Sequence, residues 1–155
     1  MTSLDDVKLS AQAKTYLVNS INDHEGFQKF MYLDSEGHWT IGYGYNLSAN
    51  GIPREVAALL RDIKVEEAYF DLCKNFPGFL QLSEQRQIIL IEMVYQMGIT
   101  GVLKFTKFIK ACVSRNYIEA RKEMLDSDWG RKYTARANVL AHHFEIDSFP
   151  GLNGG

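Results

Sequence analysis

The sequence predicts an α+β fold: a small N-terminal lobe carrying a β-hairpin sheet, a linking helix, and a helical C-terminal lobe. Three observations lead there. Residues 30–45 contain two short apolar runs separated by Asp34-Ser35-Glu36-Gly37, a turn by composition. Helical periodicity fills most of the remaining chain. Residues 83–97 (SEQRQIILIEMVYQM) are so evenly apolar that they read as the buried centre of a lobe. A length of 155 residues suits one domain, and a 46% hydrophobic content suffices for a core. Residues 11–64 are expected to form the N-terminal lobe, 65–82 the link, and 83–149 the C-terminal lobe.

After a loose lead-in over residues 1–9, residues 11–24 place Ala13, Leu17 and Ile21 on one helical face, with Ser10 as cap. Glu25 follows Ile21 by four residues, so it is expected on that buried face, and Gly26 stops the helix. A carboxylate at the negative end of a helix dipole, partly buried, is favoured in its protonated form, as a general acid must be. Residues 30–33 read as a strand and residues 38–45 as a second, interrupted by Gly42 and Gly44. Glycines within a strand mark a bulge or a close approach by a ligand or another backbone. The hairpin is expected to fold Asp34 and Thr40 back towards Glu25. Two carboxylates and a hydroxyl at one edge are what glycosidases need: one acid for the leaving oxygen, one carboxylate for water or the oxocarbenium charge.

A loop over residues 46–51 ends in the turn signal Asn50-Gly51. Pro53 fits a first helical position; residues 54–62 read as a short helix and 65–75 as a longer one, broken by Phe76-Pro77-Gly78. Helices are further expected over residues 105–114, over 116–125 from a capping-box-like Asn116 and Glu119, and over 135–145 behind a Thr134 cap. Trp129 follows after a short break, and residues 150–155 read as a tail.

Net charge is −2, which argues against a dedicated nucleic-acid binder. Its distribution is uneven: residues 101–136 hold nine basic and four acidic residues, a net +5 against −7 elsewhere. Such a basic half could attract an anionic polymer. Cys73 and Cys112 read as free thiols, and the adjacent His142-His143 cannot share a helix face, so no disulfide framework, metal or cofactor is expected. No signal peptide or membrane-spanning run is read, which predicts synthesis in a cytoplasm and action on an outside substrate only after release or delivery.

Glu25-Gly26, Asp34 and Thr40-Ile41-Gly42-Tyr43-Gly44 match position by position a motif of the lysozyme (muramidase, endolysin) family of T-even bacteriophages. A second match, Met93 to Gly98 with Gly101-Val102 and Phe105-Thr106, extends the resemblance over most of the chain. Tyr45 departs from it, since the family commonly has a histidine there. The resemblance implies a monomeric peptidoglycan hydrolase with Glu25, Asp34 and Thr40 as catalytic residues, Tyr95 and Gln96 lining the substrate cleft, Trp129 packed near the glutamine, and Arg136 paired with the catalytic glutamate. Asn46 and Phe108 are added as substrate-binding candidates. Two rival readings stay open: a wall-binding module of little or no activity, and a lytic transglycosylase, which uses one acid and no water.

Overall fold

The computed structural model describes residues 4–150, so the tail beyond Pro150 and the first three residues of the lead-in lie outside the described residues. The chain divides into two compact units, Met1–Leu60 and Arg61–Gly155.

In the first unit, α1 (Ala11–Glu25) starts where the Ser10 hydroxyl accepts a hydrogen bond from the Ala13 amide at 3.1 Å. It ends at Gly26, whose φ of +67° turns the chain into β1 (Gln28–Leu33). β2 (Trp39–Gly42) and β3 (Tyr45–Asn46) complete an antiparallel sheet in the order β1-β2-β3. The predicted second strand is therefore two strands. The chain reverses at Tyr43-Gly44 because Gly42 and Gly44 adopt φ values of +67° and +71°, a region that glycine enters without steric cost. The register pairs Gln28 with Gly42 and Tyr32 with Thr40, leaving an irregularity in β1 between those two pairs. The short α2 (Leu47–Asn50) follows, capped by Asn46, whose Oδ1 accepts from the Ala49 amide at 3.0 Å. The Tyr45 hydroxyl donates to the Gly51 carbonyl at 2.8 Å, so the residue that departs from the family pattern ties down the loop over residues 46–51.

α3 (Arg54–Asn75) is one helix of 22 residues, where the sequence suggested two. Nothing between Asp62 and Val65 is glycine or proline, and the Lys64–Glu67 pair at 2.6 Å supports the turn expected to break. The boundary between the units falls within this helix.

In the second unit, a 3₁₀ turn (Phe79–Gln81) leads to α4 (Glu84–Leu103), capped by Ser83 and turned sharply at Gly98, which has φ +79° and ψ +159°. α5 (Thr106–Val113), α6 (Tyr117–Asp126), α7 (Asp128–Lys132) and α8 (Thr134–Ile146) follow. Asn116 caps α6 through the Glu119 amide at 3.1 Å. Trp129 follows the break at Ser127 and lies inside the short α7, and Thr134 does not cap α8; its hydroxyl donates to the Arg131 carbonyl. Ile89, Leu90, Met93 and Val94 of α4 are buried, as expected, but Glu92 and Tyr95 give this helix an exposed edge.

The core is continuous from Ala68 to Phe144. Arg86 sits inside it, its guanidinium stacked 3.4 Å over the Tyr117 ring and its Nε and Nη2 donating to the Phe144 and Glu145 carbonyls, which closes the C-terminal end of α8. Among the described residues no single helix is long and apolar enough to cross a membrane.

Candidate active site

Glu25 is the last residue of α1, and its carboxylate lies against the β2–β3 turn. A Cβ built on Gly44 would collide with Glu25 Oε2, so a side chain there would push the carboxylate aside. The expected burial of Glu25 is not found. It is exposed, as are Leu17 and Ile21, and α1 buries no residue. Periodicity located one face of this helix, but the unit provides no apolar layer to cover that face.

Asp34 sits at the start of the β1–β2 turn. Its Oδ1 accepts from the amides of Glu36 at 2.9 Å and His38 at 2.8 Å, and its Oδ2 lies 3.4 Å from His38 Nδ1. The His38 amide is the main reason its carboxyl is held below the ordinary value of 3.8; partial burial opposes it, and the Glu36 amide and the His38 imidazole add to the lowering. Asp34 is therefore built to be an anion. Thr40, on β2, is 4% exposed, and its hydroxyl donates to the His38 carbonyl at 3.1 Å. With its hydrogen committed there, Thr40 Oγ1 is left as an acceptor, able to hold a water by one of that water's hydrogens. His38 thus touches both groups. The sequence reading missed it, although its place four residues after Asp34 in a turn was a usable signal.

The remaining candidates divide. Asn46 pairs with Thr40 in the sheet, but its side-chain oxygen is occupied in capping α2. Tyr95 is exposed on α4, and next to it Gln96 Oε1 accepts from the Trp129 indole N–H at 2.9 Å. Arg136 forms its ion pair with Glu92, Nε and Nη2 each 3.2 Å from Glu92 Oε2. Phe108 must be withdrawn as a substrate-binding residue. It is fully buried, with ring centroids of Phe144 and Phe76 at 5.4 and 6.2 Å, and it packs the core of its unit. Among the described residues no group of three or more His, Cys, Asp or Glu is placed to hold a metal ion. Burial pushes the Cys112 thiol up to about 12, with Arg86 opposing, so it is inert as a nucleophile.

The family model for phage lysozyme matches residues 22–141, a span that includes Glu25, Asp34, Thr40 and the whole of α4 to α7. The chain belongs to the phage lysozyme family. Within the phage lysozyme family it is similar to two proteins of Dictyostelium discoideum. It is 30% identical to probable T4-type lysozyme 1 over 79% of this chain and 91% of that one. It is 26% identical to probable T4-type lysozyme 2 over 83% of this chain and 95% of that one. It is also 23% identical to the pre-baseplate central spike protein Gp5 of Enterobacteria phage T4, over 87% of this chain but only 28% of that longer protein. The α+β architecture, helical with one small three-stranded sheet, fits this membership.

Proposed function

We propose that this protein is a muramidase, which hydrolyses the β-1,4 bond between N-acetylmuramic acid and N-acetylglucosamine in peptidoglycan. One observation carries the reading: a single small sheet holds Thr40 and the Asp34 turn, and its next turn, at Gly44, closes on the Glu25 carboxylate. Acid, anion and water-holding hydroxyl thus belong to one continuous stretch of 16 residues.

In this mechanism Glu25 donates its proton to the leaving glycosidic oxygen. A sugar ring seated over the exposed carboxylate excludes water from the place of proton transfer. Asp34, already an anion through its two backbone amides, balances the positive charge that develops on the ring and accepts the proton of the attacking water. Thr40 Oγ1 accepts the water's second hydrogen and fixes its approach. Attack on the face opposite the leaving group gives inversion at the anomeric carbon, for which the two carboxyl groups stand about 6.5–9.5 Å apart with substrate bound.

The deciding variant is Glu25→Gln. It keeps the shape of the side chain and removes the proton donor, so lysis of purified walls should fall by at least about 10²-fold, with the circular dichroism spectrum unchanged. Full clearing by this variant would refute the assignment of the acid. Mass spectrometry of the products separates hydrolysis, which leaves reducing muramic ends, from transglycosylation, which leaves anhydro ends.

A further inference from the structure

Phe27 and Tyr43 form an aromatic pair that neither the proposed chemistry nor the core of the protein accounts for. The last registered pair of the β1–β2 ladder is Gln28 with Gly42, and continuing that register one step sets Phe27 opposite Tyr43. The two rings meet with centroids 5.6 Å apart and planes inclined at 49°. Both remain open to solvent: Phe27 is 63% exposed and Tyr43 49% exposed.

The pair also lies beside the acid on both chain segments. Phe27 comes two residues after Glu25, and Tyr43 immediately precedes Gly44, the residue against which the Glu25 carboxylate rests. Glycines flank both rings, Gly26 before Phe27 and Gly42 before Tyr43. A Cβ on either glycine would meet nothing within 4 Å, in contrast to Gly44, so the space over this backbone is empty. Gly42 ends β2, and glycine in a strand above empty space suits the close approach of a ligand.

We propose that Phe27 and Tyr43 are a sugar-stacking platform that sets glycan binding next to Glu25, a specificity-determining element of the muramidase site. The occupant is one pyranose ring of the glycan strand. Axial C–H bonds give such a ring an apolar face carrying slight positive charge, and the negative face of an aromatic ring complements it. The tilt between the planes offers two differently oriented faces to one N-acetylhexosamine, its ring against one and its acetamide methyl against the other. A β-1,4-linked chain seated there has its glycosidic oxygen carried towards Glu25. The platform binds and positions; it takes no part in proton transfer.

This inference rests on the muramidase reading, and the experiment separates the two. Phe27→Leu and Tyr43→Leu keep an apolar contact across the ladder but lack a π face; Phe27→Tyr and Tyr43→Phe keep the face. With soluble peptidoglycan fragments, each leucine variant should raise KM about tenfold with kcat changed less than about twofold, and the aromatic variants should retain wild-type KM. In a Glu25→Gln background, which binds without turnover, the double leucine variant should lose retention on purified peptidoglycan. Thermal unfolding of the leucine variants should match the parent. Wild-type KM and wall retention in the double leucine variant would overturn the platform while leaving the muramidase reading intact. A fall in kcat with KM unchanged would also overturn it. Undiminished lysis by Glu25→Gln alone would instead overturn the muramidase reading.

Discussion

Residues 61–150 bury a continuous layer of apolar side chains from Ala68 to Phe144, whereas in residues 4–60 the one buried residue among those described is Thr40, whose hydroxyl is part of the candidate site. The second unit is held by burial. The first is held by local devices: the Ser10 and Asn46 caps, the Asp34 turn, the Tyr45–Gly51 bond and three left-handed glycines beside the acid. The buried core and the candidate site thus fall in different stretches of one chain. The unit that carries the candidate site is expected at the low-stability end, where binding surfaces commonly lie.

The comparison can be broken most directly in the core. Phe108→Ala should cost about 3–5 kcal/mol, since the ring is fully enclosed and its loss leaves a cavity between Phe76 and Phe144. Phe27→Leu should stay within about 0.5 kcal/mol. Denaturant unfolding measures both, and equal costs would show that the hairpin unit has a hidden core of its own.

Gly44→Ala should do the reverse. Placing a side chain at φ +71° costs about 1–2 kcal/mol. The added methyl also displaces the Glu25 carboxylate, so wall lysis should fall on the order of 10²-fold, far beyond what the stability loss explains. Wild-type turnover in this variant would mean that the contact at Gly44 does not position the acid.

Thr40→Val keeps the shape and removes the bond to the His38 carbonyl, at a cost of about 0.5–1.5 kcal/mol. Turnover should drop with KM unchanged if the hydroxyl holds the attacking water, and steady-state kinetics on soluble fragments reads both constants.

The smallest effect sharpens the picture of the turn. The carboxyl of Asp34 titrates lower in the folded protein than in the unfolded chain, so its stabilisation is complete above the unfolded value near 3.8 and disappears as pH falls through the lower folded value. Protection of the Glu36 and His38 amides against hydrogen exchange, relative to their intrinsic rates, should therefore begin to fall as pH drops below about 3.8, and in Asp34→Asn the acid-dependent step should vanish.

Much of this was legible in the chain itself, through signals that act locally. Ser10 and Asn116 cap helices because a short polar side chain can reach an amide three residues on, whatever the tertiary surroundings. Asp34 to Gly37 turns for the same kind of reason. What stayed hidden depends on distant neighbours. The apolar spacing that makes Phe108 a cleft candidate serves a core residue equally well, and only the positions of Phe76 and Phe144 decide. Leu17, Ile21 and Glu25 share a face, but whether anything covers that face is not a property of helical period. The strand break at Tyr43-Gly44 was written in its two glycines and was read too weakly, as an interruption rather than a reversal.

The protein has two tryptophans, and each falls in a different unit. Trp39 is 44% exposed on β2, while Trp129 is 6% exposed with its indole N–H bonded to Gln96. The molecule therefore comes with its own pair of optical reporters. Emission from Trp39 belongs at longer wavelength and should respond to glycan fragments settling on the sheet; emission from Trp129 belongs at shorter wavelength and should follow the melting of the helices. Replacing either by phenylalanine gives a protein whose remaining indole reads one half alone, with no label attached.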